Sequence, residues 1–308
     1  MKPKVSVIIP NYNHFAFLQQ RIDSVINQTY TNFDITILDD CSTDESKTII
    51  EQYRNHPKVK QIIYNQTNSK STFKQWKKGI ESTSGEYIWI AESDDIASLS
   101  FLQSLTDLLY NHTKCSFVFC DSSTDINSFC KKIHKPDARS ENYTGKNFIS
   151  EHNINPKFVS ASSVLFKRER INHNVLTDFV DFTSSGDWLF WTGLALKGDV
   201  VRYADELNFY RRHPLSVSDI AFNNGKYVLE GFKLMYYFKK KLRIFPSKPQ
   251  IKKWASAWAI NRLQNKIKNR PLFFYAIKVS ILLLIFYKFY IIKYQLYNKF
   301  NRNKLYLL

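Results

Sequence analysis

Short apolar runs alternate with helical patterns along the first 121 residues, and this alternation leaves few folds open. Continuous apolar runs indicate buried strands, and apolar residues spaced by three and four indicate helices. The predicted strands are Val5–Ile9 (ended by Pro10), Phe33–Leu38, Val59–Tyr64, Tyr87–Ala91 and Ser116–Cys120. The predicted helices are Phe15–Ile26, one from a Ser42–Glu45 capping box to about Arg54, 71–82, and about 98–111. Strands joined by helices imply right-handed crossovers, so the predicted fold class is α/β, with a mostly parallel sheet flanked by helices.

The pattern is less regular beyond this region. The stretch 122–157 is polar and predicts irregular structure. Phe158–Phe166 then predicts a strand, and Gly186–Lys197 predicts a helix that Gly198 ends. Two short strands are expected at Val200-Val201 and Leu207–Tyr210.

Three polar clusters stand just beyond the carboxyl ends of predicted strands, namely Pro10–Asn13, Asp39-Asp40 and Asp94-Asp95. Ligands of open parallel sheets bind at this edge, so the three clusters should line one crevice. The adjacent acids of Glu92–Asp95 require a cation, and oxygen ligands suit Mg²⁺ or Mn²⁺, which commonly bridges a protein to nucleotide phosphates. An acidic surface turn is the alternative interpretation.

Three motifs in order, Val5–Asn13, Ile37–Asp44 and Gly85–Asp95, resemble glycosyltransferase family 2, which has the Rossmann-like GT-A fold. The resemblance covers roughly residues 1–215, and it implies a catalytic domain over that range. Glycine-rich phosphate loops of the kinase and dehydrogenase kinds are absent from the sequence.

The resemblance implies a role for each strand-end residue. The residues implied to contact the nucleotide are Pro10, Tyr12, Asn13, Asp39 and Asp40. Asp94 would contact the ribose, and Asp95 would ligate the metal that bridges the diphosphate. That metal would offset the charge on the leaving nucleoside diphosphate.

Two further motifs carry implied roles. Asp187 aligns with the family's catalytic base, which would deprotonate the acceptor hydroxyl. Trp188 would stack on the acceptor sugar, with simple packing as the alternative. In Tyr210–His213, Arg211 would pair with the diphosphate and His213 would complete the metal shell. The alternatives are a helix N-terminal acid for Asp187 and a basic surface turn for Tyr210–His213.

One departure concerns the stretch before the fourth strand, where many family members carry an arginine that reaches the nucleotide. Trp76 occupies that position here. Lys74 or Lys77 would then supply the charge, or Trp76 would stack on the base.

The net charge of +17 is concentrated at one end of the chain. No Asp or Glu follows Glu230, and residues 231–308 carry +18, whereas residues 1–230 carry −1. We therefore predict that 216–308 is a basic helical segment distinct from the catalytic domain.

An amphipathic helix is predicted within this segment. Pro271–Ile292 is 22 residues long, but Lys278 and Lys288 interrupt it, which argues against a membrane span. Lys278, Lys288, Lys293 and Lys299 fall on an arc of roughly 140°. The pattern favours a helix lying on an anionic membrane surface. The alternatives are a basic helix packed on the catalytic domain and a helix that binds nucleic acid. Of these, we do not expect nucleic acid to be a partner.

The resemblance thus implies an inverting glycosyltransferase that uses Mn²⁺ or Mg²⁺. The expected donor is a nucleotide sugar, with a UDP-sugar favoured, and the expected acceptor is a lipid-linked glycan of a bacterial cell-surface polysaccharide. The lack of a signal-peptide pattern and four scattered cysteines predict a cytoplasmic protein, peripheral on the inner face of the plasma membrane. The alternatives are transfer to a polyprenyl phosphate and a non-catalytic protein that binds nucleotide sugars or polyanions.

Overall fold

The strand Val5–Asn11 occupies a central place in a mixed sheet, and every one of its residues is buried. The computed structural model describes residues 2–132, 139–152, 160–214, 216–264, 267 and 269–300. These residues form two compact units, Met1–Arg212 and His213–Leu308. The first contains the sheet and the second is helical.

The elements of the first unit follow the predicted alternation. Its strands are β1 Val5–Asn11, β2 Phe33–Asp39, β3 Val59–Tyr64, β4 Tyr87–Ile90, β5 Ile96–Ala97, β6 Cys115–Ser123, β7 Ser140–Tyr143, β8 Val164–Lys167 and β9 Asp199–Phe209. Its α-helices are α1 Phe15–Ile26, α2 Ser46–Gln52, α3 Thr72–Glu81, α4 Phe101–Asn111, α5 Ile126–Lys131, α6 Gly145–His152, α7 His173–Asp178 and α8 Gly186–Ala195.

The sheet order is β3-β2-β1-β4-β8-β6-β9-β5. Strand β7 pairs with the first part of β9, and β5 pairs with its last two residues. Parallel pairings join β1 to β2 and β4, β2 to β3, and β6 to β9. Strand β8 runs antiparallel between β4 and β6. The predicted α/β class with a mostly parallel sheet flanked by helices is confirmed.

Both faces of β1 are covered, which explains why its sequence is apolar without alternation. Val5, Val7 and Ile9 share a core cluster with apolar residues of α1. On the other face, Ile8 packs so closely on α3 that a Cβ added to Gly79 would come within 2.4 Å of it. The sheet edge at the end of β1 is therefore held between two packed helices.

Two predicted boundaries are wrong. Pro10 does not end β1, because it pairs in register with Leu38 of β2. Strand β4 pairs with β1 only as far as Ile8, so beyond that residue β1 has a partner strand on one side only. Proline, which lacks an N–H to donate, is tolerated at such a position. The Ser42–Glu45 capping box is also absent: α2 begins at Ser46, and the Ser42 hydroxyl donates to Asp39 instead.

The later part of the first unit is more regular than predicted. The polar stretch 122–157 contains α5, β7 and α6 among its described residues. The two short strands expected at 200–210 are one strand, β9, which pairs with β6 from Asp199 to Phe209 with register shifts along the way. Of the predicted strand 158–166, residues 158–159 lie outside the described residues, and β8 starts at Val164 after a 3₁₀ turn.

The second unit consists of helices. They are α9 Val217–Asn223, α10 Lys226–Tyr237, α11 Lys248–Leu263, α12 Asn269–Val279 and α13 Ile281–Phe300. A capping box between Ser247 and Gln250 starts α11. Among the helices that the structure describes, none combines the length and the hydropathy needed to cross a bilayer.

The single helix predicted over 271–292 is two helices with a break at Ser280. Lys239 Nζ donates to the carbonyl oxygens of Lys278 and Val279, which would otherwise lack partners at the end of α12. The Ser280 hydroxyl accepts from Leu282 N at the start of α13. The break thus has hydrogen-bonding groups on both sides.

Candidate active site

The loops that follow β1 and β2 are joined through the buried Asp39 carboxylate. Its Oδ1 atom accepts hydrogen bonds from Asn11 Nδ2 at 2.9 Å and Ser42 Oγ at 2.6 Å, and Ser42 N donates to Oδ2 at 2.9 Å. Asn13, with a left-handed φ of 54°, donates its N–H to Ser42 Oγ and accepts from Thr43 N. These bonds align the two loops at the carboxyl edge of the sheet.

The neighbouring acid, Asp40, has a different environment. Its Oδ1 atom accepts from Asn65 Nδ2 at 2.6 Å, Ser69 N at 2.9 Å and Gln75 Nε2 at 2.8 Å, and Oδ2 accepts from Ser69 Oγ at 2.7 Å. The carboxylate is buried. Its hydrogen bonds fold the segment that leads into α3, where the exposed Lys74 lies 3.5 Å from the Ser69 carbonyl oxygen.

The two acids after β4 also differ. Asp95 is 1% exposed, and its oxygens accept from Ser160 Oγ at 2.6 Å and Arg211 N at 3.0 Å. Arg21 Nη2 lies 3.9 Å from Asp95 Oδ2. Burial and the nearby charge of Asp94 raise the pKa of Asp95 above its ordinary value. Asp95 is therefore enclosed by protein groups.

Asp94 is half-buried, so it is the more accessible of the two acids. A ligand atom of His14 and a carboxylate oxygen of Asp94 lie within 4.8 Å of each other. The His14 ring is oriented by a 2.7 Å hydrogen bond between Nδ1 and Ser93 Oγ. A carboxylate and an imidazole at this separation could share one divalent cation.

Trp76 contacts the acidic loop without being exposed. Its Nε1 donates to Glu92 Oε1 at 2.6 Å, and the side chain is 2% exposed. The rings that pack around it are Phe73, Phe179, Phe190 and Trp191. The indole therefore has no exposed face on which a base could stack, contrary to one of the options for Trp76.

Burial and the charge of Asp94 raise the pKa of Glu92 to about 8. The Trp76 hydrogen bond acts in the opposite direction, since it stabilises the carboxylate. The acidic loop thus holds two carboxyl groups, those of Glu92 and Asp95, whose charged forms are disfavoured by burial and by the charge of Asp94.

Asp187 is the second residue of α8, as the sequence predicted for a helix N-terminal position. The preceding Gly186 permits close packing, because a Cβ there would lie 2.6 Å from the Phe179 carbonyl oxygen and 2.8 Å from the Phe73 ring. Asp187 and Trp188 are both half-buried. Through Phe73, the start of α8 is packed on the helix that carries Trp76.

Arg211 follows β9 and binds the loop that contains the acids. Its Nε donates to the Asp94 carbonyl oxygen at 2.8 Å, and Nη2 donates to Gln20 Oε1 at 2.8 Å. The guanidinium also lies over the rings of Phe17 and Phe209. Arg211 therefore positions the Asp94 backbone.

The structure brings Asn13, Asp39, Asp94, Asp95 and Arg211 to connected loops at one sheet edge. Pro10 is buried within β1, whereas Tyr12 is 44% exposed. His213 is the first residue of the second unit, so its role as a metal ligand stays a prediction from sequence.

Sequence reasoning missed Arg21 and His14. Arg21 is fully buried, its Nε donates to the Glu92 carbonyl oxygen at 2.7 Å, and burial lowers its pKa to about 10. The available signal was its position: Arg21 lies on the apolar face of α1 with Leu18 and Ile22. His14 stands directly after the Pro10–Asn13 cluster, and only the fold brings it to Ser93.

Comparison with known proteins places this site in a family. The sequence model of glycosyl transferase family 2 matches residues 6–173, which is more than half of the chain. The matched range contains the strand-end loops of β1, β2 and β4.

Curated relatives carry related names. The chain is 26% identical over 200 residues to the putative teichuronic acid biosynthesis glycosyltransferase TuaG of Bacillus subtilis, covering 64% of this chain and 74% of TuaG. It is 35% identical over 123 residues to an uncharacterized glycosyltransferase of Haemophilus influenzae, covering 39% and 49% of the two chains. Poly(ribitol-phosphate) beta-N-acetylglucosaminyltransferase TarS of Staphylococcus aureus is 32% identical over 111 residues, which are 35% of this chain and 19% of TarS.

Solved structures share the fold. S. aureus TarS 1-349 in complex with UDP-GlcNAc has a TM-score of 0.63 and 16% identity, covering 95% of this chain and 91% of that one. Mannosyltransferase PcManGT from Pyrobaculum calidifontis in complex with GDP-Man and Mn²⁺ has a TM-score of 0.58 and 17% identity, covering 90% and 74%. The two structures are evidence for the GT-A fold alone. From the family match, the protein belongs to glycosyltransferase family 2 and is a nucleotide-sugar-dependent glycosyltransferase.

Proposed function

We propose that this protein is an inverting, metal-dependent glycosyltransferase that moves a sugar from a UDP-sugar to a hydroxyl of a lipid-linked glycan. The observation that carries the proposal is the environment of Asp94, a half-buried carboxylate beside His14 at the carboxyl edge of the sheet. Its neighbour Asp95 is enclosed by Ser160, Arg211 and Arg21. The Asp94 carboxylate is thus accessible to a ligand, whereas Asp95 is held within the protein and helps to fix the loop that carries Asp94.

The nucleoside of the donor would lie over the loops after β1 and β2. Asp39 is held in one orientation by Asn11 and Ser42, which suits a carboxylate that accepts a hydrogen bond from a base. The exposed Tyr12 ring would cover the base or ribose. A UDP donor is supported by TarS, which shares the fold and was solved with UDP and with UDP-GlcNAc.

The metal ligand in this proposal moves from Asp95 to Asp94, since Asp95 already accepts from Ser160 and Arg211. Asp94 and His14 would hold the ion, and a mixed oxygen and imidazole set favours Mn²⁺ over Mg²⁺. When bound, the ion supplies positive charge that offsets the charge of the leaving diphosphate. The proposal that His213 adds a ligand rests on the Tyr-Arg-x-His pattern of the sequence.

Asp187 would act as the general base. Inverting transfer needs one carboxylate to take the proton from the acceptor hydroxyl as that oxygen attacks the anomeric carbon. The donor C1–O bond breaks, the oxygen keeps the electron pair, and the nucleoside diphosphate leaves. Close packing of Gly186 on α3 fixes the start of α8, and Trp188 would present a ring to the acceptor sugar.

The acceptor class is supported by the relatives. TuaG is named for teichuronic acid biosynthesis and TarS for transfer to poly(ribitol-phosphate), and both names concern bacterial cell-surface polymers. We extend that class to this chain as a lipid-linked glycan presented at the cytoplasmic face of the membrane. In this arrangement residues 1–215 catalyse transfer, and the basic residues 216–308 bring the enzyme to the anionic surface.

The deciding experiment measures release of nucleoside diphosphate across a panel of nucleotide sugars, with and without Mn²⁺, and the anomeric configuration of the product by NMR. We expect one donor to be consumed, dependence on the ion, and inversion at C1. Product with retained configuration would contradict the base assigned to Asp187. Transfer that is unaffected by chelation would contradict the metal site.

A further inference from the structure

An apolar stripe runs along the exposed side of α13. It consists of Ile281, Ile285, Phe289, Ile292 and Leu296, each between 51% and 60% exposed. At 100° per residue, these five positions fall at about 0°, 40°, 80°, 20° and 60°, an arc of about 80°. A continuous exposed stripe of large apolar side chains is unusual for a surface that contacts only water.

Contacts on the opposite side of α13 fix which way the stripe faces. The Tyr287 ring stacks on Trp258 of α11, with centroids 3.8 Å apart and planes 19° apart. Tyr294 OH lies 2.7 Å from Ser256 Oγ, also on α11, and Leu283 is fully buried. On the same scale these residues fall at about 240°, 220° and 200°, opposite the stripe. The stripe therefore points away from the α11 face.

Lysines flank the stripe on both sides. Lys288 falls at about 340° and Lys293 at about 120°, and both are exposed. The sequence suggested lysines along one side of a single helix, with Lys278 and Lys288 in the same arc. In the structure Lys278 belongs to α12, and Lys288 and Lys293 of α13 stand at the two margins of the apolar stripe.

The charge around the stripe identifies its occupant. No acidic residue follows Glu230, so α11, α12 and α13 contain basic residues and no carboxylate side chain. A second copy that paired through the stripe of α13 would bring basic margins with no acidic side chains against each other, and like charges repel. Nucleic acid would match the charge but leave the apolar stripe without a partner. Anionic lipid matches both, with phosphates for the lysines and acyl chains for the stripe.

We propose that α13 lies in the plane of an anionic bilayer, with the stripe Ile281–Leu296 inserted at the headgroup–acyl boundary and Lys288 and Lys293 at the phosphate level. This inference rests on the proposed function, which places the enzyme at an anionic membrane surface. It adds which face of α13 contacts the lipid and which residues make that contact. Phe274 and Ile277 of α12, which are also more than half exposed, extend the apolar surface of the unit.

The test uses the full-length protein and co-sedimentation with vesicles of phosphatidylglycerol and phosphatidylcholine, compared with vesicles of phosphatidylcholine alone. The stripe variant is Ile285→Ser with Ile292→Ser. The margin variant is Lys288→Gln with Lys293→Gln. Phe245→Ser is the matched control, because Phe245 is 65% exposed in the same unit but lies outside α13. Circular dichroism and thermal unfolding establish that each variant is folded.

We expect the stripe variant to bind anionic vesicles about tenfold or more weakly, since two large apolar side chains no longer leave water. The margin variant should bind anionic vesicles about tenfold more weakly than the parent, and its binding to neutral vesicles should change little. Phe245→Ser should bind as the parent does. Stripe and parent proteins with equal vesicle binding would overturn the proposal. So would a stripe variant that changes only the self-association measured by sedimentation velocity, or only binding to a nucleic-acid probe.

Nucleoside diphosphate release in the absence of vesicles separates this inference from the proposed function. The stripe variant should release nucleoside diphosphate at the parental rate, because the stripe lies outside the residues proposed to bind the donor. Vesicle binding by a protein that transfers no sugar would contradict the proposed function and leave the lipid surface supported.

Discussion

The two units of this protein use charge in opposite ways. In the first, acids stand at the ends of β2 and β4, and three of them, Asp39, Asp40 and Asp95, are buried among donors. In the second, Asp219 and Glu230 are the last acidic residues of the chain, and basic residues follow on helices. In the first unit, acidic side chains are buried within the protein and held at fixed distances from their hydrogen-bond donors. The second presents charge outward, where only its sign and density matter.

This difference predicts which substitutions change chemistry and which change location. Substitutions among the acids should alter turnover or folding without affecting vesicle binding. Substitutions on α13 should do the reverse. The four predictions that follow test this separation, from the largest expected effect to the smallest.

The largest effect is expected for Asp187→Asn. The amide cannot accept the acceptor proton, so turnover should fall by about 10²–10⁴-fold. Affinity for the donor should stay within about twofold of the parent, because the role assigned to Asp187 concerns the acceptor. Steady-state kinetics and calorimetric donor titration check both parts. A variant that keeps its turnover would remove the base assignment, and one that loses donor affinity would move Asp187 into the donor site.

Asp94→Asn and Asp95→Asn should differ in kind. Asp94→Asn should weaken Mn²⁺ binding by at least about 10–100-fold, because a loss of that size is typical even for a residue that only hydrogen-bonds to a metal ligand. The melting temperature should stay nearly unchanged. Asp95→Asn should lower the free energy of unfolding by about 1–3 kcal/mol, since it disturbs a buried set of hydrogen bonds. Mn²⁺ titration and thermal unfolding of both variants distinguish the two roles. The reverse pattern would restore Asp95 as the metal ligand.

Salt should act on the second unit more than on the first. Raising ionic strength from about 0.1 M to about 1 M shortens the screening length from about 10 Å to about 3 Å. Exposed lysines such as Lys288 and Lys293 should then lose most of their attraction to anionic vesicles, whereas the apolar stripe still binds. Vesicle binding across a salt series should fall to a plateau above zero. Complete loss of binding would mean that the stripe contributes nothing.

The smallest effect concerns pH and Glu92, whose pKa is raised from 4.5 to about 8. In the metal-free protein the folded state keeps this proton between those values while the unfolded state releases it. The free energy of unfolding should therefore fall as pH rises through that window, and Asp95 contributes in the same direction. Glu92→Gln stays neutral and can still accept from Trp76, so its stability should depend less on pH. Equally steep profiles for Glu92→Gln and the parent would contradict the raised pKa.

Much of the first unit could be predicted from sequence because many of its helices and strands are marked by local patterns. The bounds of α1 and β3 match the predicted ranges, and α1 is marked by apolar residues spaced by three and four. The errors arose where tertiary contacts compete with local ones. Ser42 would cap a helix in isolation, but its hydroxyl donates to Asp39 and accepts hydrogen bonds from Asn11 Nδ2 and Asn13 N, which come from the β1 end of the chain. Strand β7 has little sequence signal, because its partner β9 is 60 residues away along the chain.

The site shows the same division. The motif order identified the acidic loop and implied the ribose for Asp94 and the metal for Asp95, but it gave no sign of which carboxylate is enclosed by protein groups. Their difference comes from Ser160, Arg21 and Arg211, which are distant in sequence and converge on Asp95. The alignment of Trp76 with the nucleotide site offers base stacking as one of its predicted roles. The rings around it come from three separate segments, and only folding shows that they bury it.

By itself, the sequence determined the α/β class, the family and the location of the basic segment, since these depend on periodicity, motif order and composition. Only the tertiary structure decided which acid is presented, that His14 lies near Asp94, and which side of α13 is exposed. The physical reason is that exposure and hydrogen bonding depend on partners that the chain brings together from afar. Periodicity can predict that α13 has two faces, but the Tyr287–Trp258 stack determines which face packs on α11 and which stays exposed.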